Sequence, residues 1–306
     1  MRENANREKD SQPTVALKWR LIVGTAVVVA RVVARVAAAL NYRAALFLGR
    51  LITKAFEPLT RKRRDRNMRR FFGPSFSPTE QARVDKEHHD YLARMRTEIA
   101  RGVHREASEQ LNRVAFAGEE HLQAALERRR GVLLISGHTG TWWLVPAALA
   151  ARGYKVTGIF TSIPFPSVER LLLRLAGRYG IRVAFVGKSA YRAALEAVEK
   201  NEVLYLTFDV SVRPNRNERC RFGAGTLDID PGPAQLALRQ NMTVLQAACA
   251  HQGARDHVIT FYPPDEIATA TPSVLCQRWL DRVADEVRQR PSQWWSWGYV
   301  DVQEQK

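Results

Sequence analysis

Three features of the sequence predict an α/β fold, a central mainly parallel or mixed sheet flanked by helices. From about residue 118 onward, short apolar runs of strand length alternate with helical periodicities, the pattern of strand–helix–strand units. The run 132–135 is wholly apolar (Val-Leu-Leu-Ile) and stops at Ser136-Gly137, as a buried strand ending in a turn should. Apolar residues make up 45% of the 306 and charged residues 25%, an ordinary folded composition with ample length for a real core.

The N-terminal part has a different character. Residues 1–14 are polar and charged and read as a disordered tail. Leu21 to Leu40 has the length of a bilayer span but carries Arg31 and Arg35. Each arginine costs roughly 2.5–3.5 kcal/mol at mid-bilayer on insertion scales. The region 15–60 is therefore expected to anchor at a membrane, with a membrane-associated N-terminal helix lying in or obliquely entering the interface and its arginines reaching phosphates. A true span and a cleaved signal peptide, with Ala37-Ala38-Ala39 as the cleavage site, are the alternatives; the interrupted apolar core counts against the second. A second helical pattern (Ala44 to Phe56) leads into the basic run Arg61-Lys62-Arg63-Arg64, then Arg66, Arg69 and Arg70, read as a solvated loop. The net charge is +16, and residues 1–70 hold 17 Arg or Lys against 5 Asp or Glu. Such a field calls for an anionic partner. A basic run beside an apolar helix suits anionic membrane lipids. No nucleic-acid-binding signature accompanies it, so nucleic acid is not the expected partner.

The catalytic-type domain is placed at 61–306. Residues 79–101 read as a helix capped by Ser77 or Thr79, with His88 and His89 on a solvated face; His104 and His121 read as surface residues. Then follow a helix 119–130, the strand 132–135, a helix 142–151 closed by Gly153, and a strand 156–160. Pro164 and Pro166 break the chain before a helix 168–179. A strand 183–186, a helix 190–200 and a strand 203–208 ending on Asp209 come next, then a helix 233–240, strands 243–248 and 258–262, and a helix 273–290. The aromatic cluster Trp294, Trp295, Trp297 and Tyr299 reads as packing near the membrane, with no chemistry. Cys220, Cys249 and Cys276 have neither zinc-ligand spacing nor an even disulfide framework, so a reduced, cytosol-facing protein is expected. No metal site and no cofactor are expected.

His138 is the leading catalytic candidate, an imidazole at the end of a buried strand where α/β proteins commonly place chemistry. Gly140 beside it would let the backbone approach a substrate, and Trp142 follows. Asp209 ends a second apolar strand and can share the same sheet edge. Gly232-Pro233, before a helix, can leave N–H groups free for an anion or oxyanion, and Arg221-Phe222-Gly223 is a candidate loop lining the site. An ordinary strand end and ordinary turns remain the competing reading of these last three.

These segments resemble the bacterial lipid A late acyltransferases, the lauroyl/myristoyl transferases of the lysophospholipid-acyltransferase superfamily. GVLLISGHTGTWW (131–143) is similar to that family's strand followed by His-x-Gly-Asn-Trp-Glu. Residues 208–237 resemble its Asp-Gln, Phe-Phe-Gly and Thr-Gly-Pro-Ala segments, and 290–297 its C-terminal His-Pro-Glu-Gln-Trp-x-Trp. Arg66-Asn67-Met68 with Phe71-Phe72 is similar to the region after its anchor, so the order holds from about residue 20 to 300. The resemblance implies a bacterial inner-membrane enzyme with its active domain facing the cytoplasm. It would move a fatty acyl group from an acyl carrier protein or coenzyme A thioester to a hydroxyl, or an amine, of a membrane glycolipid such as a lipid A precursor. His138 would be the general base, and Arg178, or Arg174, would match the arginine that steadies the oxyanion. The chain departs from the family pattern at the acidic position, which is Trp143, and after Asp209, where Val210 replaces glutamine. Tryptophan cannot hold charge opposite an imidazolium. Three explanations stand. Asp209, Asp228, Asp230 or Glu169 reaches His138 in space; His138 acts alone on an easier acceptor; or the chain is an inactive lipid-binding relative.

Overall fold

The computed structural model describes residues 17–104, 107–161, 166–211, 217–253 and 256–305, with the side chains of 17–27, 107, 108, 167 and 168 left aside. The expected disordered tail lies outside the described residues. The chain runs α1 (Leu17–Ala39), α2 (Tyr42–Phe72), α3 (Pro78–Gly102), α4 (Ala107–Leu111), β1 (Val114–Ala117), α5 (Glu119–Glu127), β2 (Val132–Ser136), α6 (Val145–Ala151), β3 (Val156–Phe160) and α7 (Pro166–Arg178). It continues through β4 (Arg182–Phe185), α8 (Lys188–Lys200), β5 (Val203–Thr207), the antiparallel pair β6 (Glu218–Phe222) and β7 (Gly225–Ile229), α9 (Gly232–Gln240), β8 (Thr243–Gln252), β9 (Asp256–Phe261), α10 (Pro272–Gln289) and β10 (Gln303–Glu304).

Seven strands form one mixed sheet in the order β1-β9-β8-β2-β5-β3-β4, parallel except where β8 meets β9. Every residue of β2 is buried, and four of five in β5, because helices cover both faces of the sheet centre. One core layer sets Leu133, Ile135, Leu204 and Leu206 against α10 and the small sheet; the other sets Leu134, Tyr205 and Leu245 against α5 and α6. The chain after β2 goes one way to β3 and returns through β5, while β8 joins on the other side, so β2 borders a topological switch point. The β2–β5 register pairs Ser136 with Thr207. The residues two beyond each, His138 and Asp209, therefore leave the sheet side by side.

Helix α2 runs through the residue-61 boundary without interruption, so the basic run is helical rather than a loop. Its buried face (Arg64, Asn67, Met68, Phe71) packs on the C-terminal segment, and Asn67 Nδ2 donates to the carbonyls of Trp297 and Val300. Ser77 caps α3 in a full capping box with Glu80. The expected solvated face of α3 is corrected at His88. It shares the helical stripe of Val84, Tyr91, Leu92 and Met95, lies buried, and sets Nδ1 2.8 Å from the Ser292 carbonyl. Burial pushes its pKa down to about 3. The neighbouring Lys86 and Glu87 are among the exposed positions of α3. Helices α1 and α2 leave Val28, Val29, Val32, Val36, Phe47, Leu51, Phe56 and Leu59 exposed. Among the described residues, no helix is long and apolar enough to cross a membrane.

Candidate active site

His138 and Asp209 meet at the carboxyl ends of β2 and β5. His138 Nδ1 is 2.7 Å from Asp209 Oδ1, and the backbone N–H of His138 donates to the same oxygen at 3.0 Å. An ionised carboxylate only accepts, so Nδ1 carries the proton and Nε2 is left as an acceptor. The Thr207 hydroxyl lies 3.0 Å from Nε2 and donates to it. The other Asp209 oxygen accepts from Trp294 Nε1 at 2.6 Å and from Ser296 Oγ at 3.4 Å. Asp209 is fully buried, and burial alone would raise its carboxyl; the neighbouring His138 and these hydrogen bonds outweigh it and hold the pKa below the ordinary value.

The C-terminal segment fixes the histidine loop from the far side. Thr139 bridges Trp294, the Gly140 N–H donates to the Gln293 carbonyl at 2.8 Å, and the Trp295 N–H donates to the His138 carbonyl at 2.9 Å. Thr139 Oγ1 donates to Glu286 on α10 at 2.5 Å. Burial pushes the Glu286 carboxyl up to about 8, with Asp209 nearby adding to the rise. The His138 ring lies edge-on to Trp142, centroids 4.6 Å apart, and 5.3 Å from the Trp295 ring.

This pair opens on a cavity of about 670 Å³, within the range of about 300–1,000 Å³ usual for small-molecule sites. His138, Trp142, Trp143 and Trp295 line it, together with the apolar side chains of Ile159, Leu172, Leu175, Ala176 and Leu236. Asp230 and Arg239 are charged residues on its wall. The arrangement can take a proton from a hydroxyl at Nε2 and shelter a long apolar group beside it.

Residues 11–297 match the model of the bacterial lipid A biosynthesis acyltransferases. The chain belongs to this family. Phosphatidylinositol mannoside acyltransferases from two strains of Mycobacterium tuberculosis are 25% identical over 194 residues, 62% of this chain and 60% of theirs. A crystal structure of the 1-acyl-sn-glycerophosphate acyltransferase PlsC from Thermotoga maritima is similar with a TM-score of 0.38 and 11% identity, over 81% of this chain and 96% of that one.

Within the family pattern, the acid missing at Trp143 is met in space by Asp209. Of the other acids the sequence offers for this place, Asp228 pairs with Arg219 at 3.0 Å, Asp230 accepts from the Gly232 N–H at 2.8 Å, and Glu169 lies on α7. Trp143 instead packs on the α3 cluster of Tyr91, Leu92 and Met95 and on the cavity wall. Trp142, Gly232 and Pro233 border the cavity. The Gly232 N–H is not free for an oxyanion, being taken by Asp230.

Other expectations are corrected. Gly140 does not line the cavity. Its φ of 52° and the Cys249 carbonyl, 2.0 Å from where a Cβ would stand, make it a close-packing glycine, and its carbonyl accepts from Tyr91 Oη at 2.8 Å. Phe222 and Gly223 do not form a lining loop: Phe222 ends β6, paired with Gly225, and Gly223 begins the tight turn into β7. Phe222 is buried against Phe71 and Trp294, and a Cβ on Gly223 would meet the Phe71 carbonyl at 2.3 Å. Arg178 points away from the cavity lining and donates to the Val103 carbonyl, and Arg174 Nε donates to the Arg170 carbonyl. Both lie on the solvent side of the amphipathic helix α7, whose apolar stripe turns inward. Within the tryptophan cluster, assigned no chemistry from sequence, Trp294 holds the acid, and Trp294 and Trp297 are fully buried rather than interfacial. A buried indole N–H needs an acceptor, and that was the available signal.

Proposed function

We propose that this protein is an acyltransferase that moves a fatty acyl group from an acyl carrier protein or coenzyme A thioester to a hydroxyl of a membrane glycolipid. The observation that carries this reading is the His138–Asp209 pair opening on a large apolar cavity. His138 Nε2, where Thr207 now donates, takes the proton of the acceptor hydroxyl as its oxygen attacks the thioester carbonyl. The tetrahedral intermediate collapses with cleavage of the carbon–sulfur bond, and the thiolate receives the proton back from the imidazolium. Asp209 fixes the tautomer and stabilises that cation. Arg239 is the basic side chain on the described cavity wall.

The family membership and the mannoside-linked relatives support a glycolipid acceptor. The exposed apolar face of α1 and α2, flanked by Arg31, Arg35 and the basic run, supports attachment to the inner leaflet of a bacterial cytoplasmic membrane, with the acyl cavity on the cytoplasmic side.

The test is thioester-dependent labelling of a lipid extract by the purified full chain. The native protein is expected to form new acylated lipid. His138→Ala should reduce the rate by about 10²–10⁴-fold, the usual worth of a general base. Asp209→Asn, which leaves the imidazole without its anion, should fall toward the 10⁴-fold loss of a triad that loses its acid. Undiminished transfer by His138→Ala would remove it from the mechanism. A folded native chain inactive with every donor would favour the inactive relative.

A further inference from the structure

Between the buried face of α3 and the β8–β9 pair, Glu98, His251 and His257 converge. The β8–β9 register sets His251 opposite His257, and Glu98 projects from α3 toward both. Glu98 Oε2 lies 3.7 Å from His251 Nε2 and 3.8 Å from His257 Nε2, and no side chain of the three is more than 7% exposed. The three ligand-type atoms all fall within 4.8 Å of one another. These spacings are too long for charge-assisted hydrogen bonds, which run at about 2.7–2.9 Å. They are close to what a shared ion requires. Four-coordinate zinc bonds to nitrogen and oxygen at about 2.0–2.2 Å, which sets neighbouring ligands about 3.3 Å apart.

Two further observations point to a ligand. Neither ring nitrogen of His251 has a hydrogen-bond partner among the described residues, although the side chain is 5% exposed. A buried imidazole in that state calls for a partner. The Tyr42 hydroxyl donates to Glu98 Oε1 at 3.3 Å, which leaves Oε2 turned to the imidazoles, as an outer hydrogen bond orients a ligating carboxylate. A cavity of about 20 Å³ borders Glu98, His257 and Gln110, room for one water at an open coordination position.

We propose that Glu98, His251 and His257 form a binding site for a divalent transition ion of the zinc class, which fastens α3 to the β8–β9 pair. Two imidazoles and one carboxylate suit zinc, with water as the fourth ligand. His251 and His257 stand close together across the β8–β9 hairpin, but Glu98 comes from α3, far upstream in the sequence, so no local spacing announces the full set. The ion would sit behind the active site and act through packing. The His251 ring lies 6.3 Å from that of Trp143, which lines the acyl cavity, and 6.0 Å from that of Tyr91, whose hydroxyl holds the Gly140 carbonyl.

Full-length protein without a histidine tag would be stripped with chelator, then titrated with Zn²⁺ and Co²⁺ while melting temperature and visible cobalt absorption are followed. One equivalent of cobalt per chain, a tetrahedral-type d–d band and a zinc-dependent rise in melting temperature are expected. Glu98→Gln, close to isosteric, and His257→Gln should abolish the band and the rise, whereas His138→Ala should keep both. A native chain that binds no ion and shows no rise overturns the proposal whatever the variants do. A band that survives in folded Glu98→Gln and His257→Gln places the ion elsewhere and overturns it equally.

Discussion

Asp209 receives hydrogen bonds from the backbone and ring of His138 on one oxygen and from Trp294 and Ser296 on the other. A carboxylate with no exposure tolerates its charge only when its acceptor sites are filled in this way. Glu286, one helix away, is the opposite case. Its principal partner is the Thr139 hydroxyl, and burial lifts its carboxyl from 4.5 to about 8. A proton held more tightly in the folded state than in the unfolded one stabilises fully below pH 4.5, and that contribution is lost as pH rises through about 8. Glu286→Gln keeps a neutral acceptor for Thr139 and removes the titration. Melting curves between about pH 6 and about pH 9 should fall more steeply for the native protein than for this variant. Parallel curves would mean that Glu286 is ionised throughout. At Gly140 a methyl group would meet the Cys249 carbonyl at 2.0 Å in a backbone of positive φ. Gly140→Ala should therefore cost more than the roughly 1–3 kcal/mol of such a conformation alone, read from urea unfolding. A loss well under that range would show that the histidine loop is free to move.

At the scale of elements, the β2–β5 register does what no local motif can. By pairing Ser136 with Thr207 it brings residues 71 positions apart to one sheet edge. The turns after α10 then clamp the histidine loop through Gln293, Trp294 and Trp295. Helix α7 contributes Leu172, Leu175 and Ala176 to the cavity proposed to hold the acyl chain. Leu175→Trp is expected to shift the products toward shorter chains, seen by mass spectrometry of the acylated lipid. An unchanged chain-length profile at full activity would place the acyl chain outside this cavity.

Across the whole molecule, positive charge collects at the N-terminal end, but the basic run is not uniformly available. Arg64 is buried and pairs with Glu57 and Asp85, and Arg66 and Arg70 reach Asp301. Arg61, Lys62 and Arg63 point outward. Changing those three to Ser should weaken sedimentation with anionic vesicles, each charge being worth about 1 kcal/mol near such a surface. Binding to zwitterionic vesicles through the α1–α2 apolar face should change little. Equal loss on both vesicle types would show that the substitutions act on folding instead.

Much was legible in the sequence because it is written locally. Apolar runs and their breaks mark β2, β3, β5 and α10, the order of motifs marks the family, and a histidine after a buried strand marks the centre of the site. The short strand β1 escaped because four residues, two of them alanine, give too little signal, and the β6–β7 hairpin because its charged and polar residues blur the alternation. The basic run looked like a loop because charge hides the helical stripe that Arg64, Asn67, Met68 and Phe71 form only against their partners. Tertiary structure alone decided which acid meets His138, that Trp294 holds it, and that Arg178 faces away. Strand register, side-chain direction and burial are properties of contacts between distant segments. A sequence names the groups available for such contacts, and the packing of the sheet selects among them.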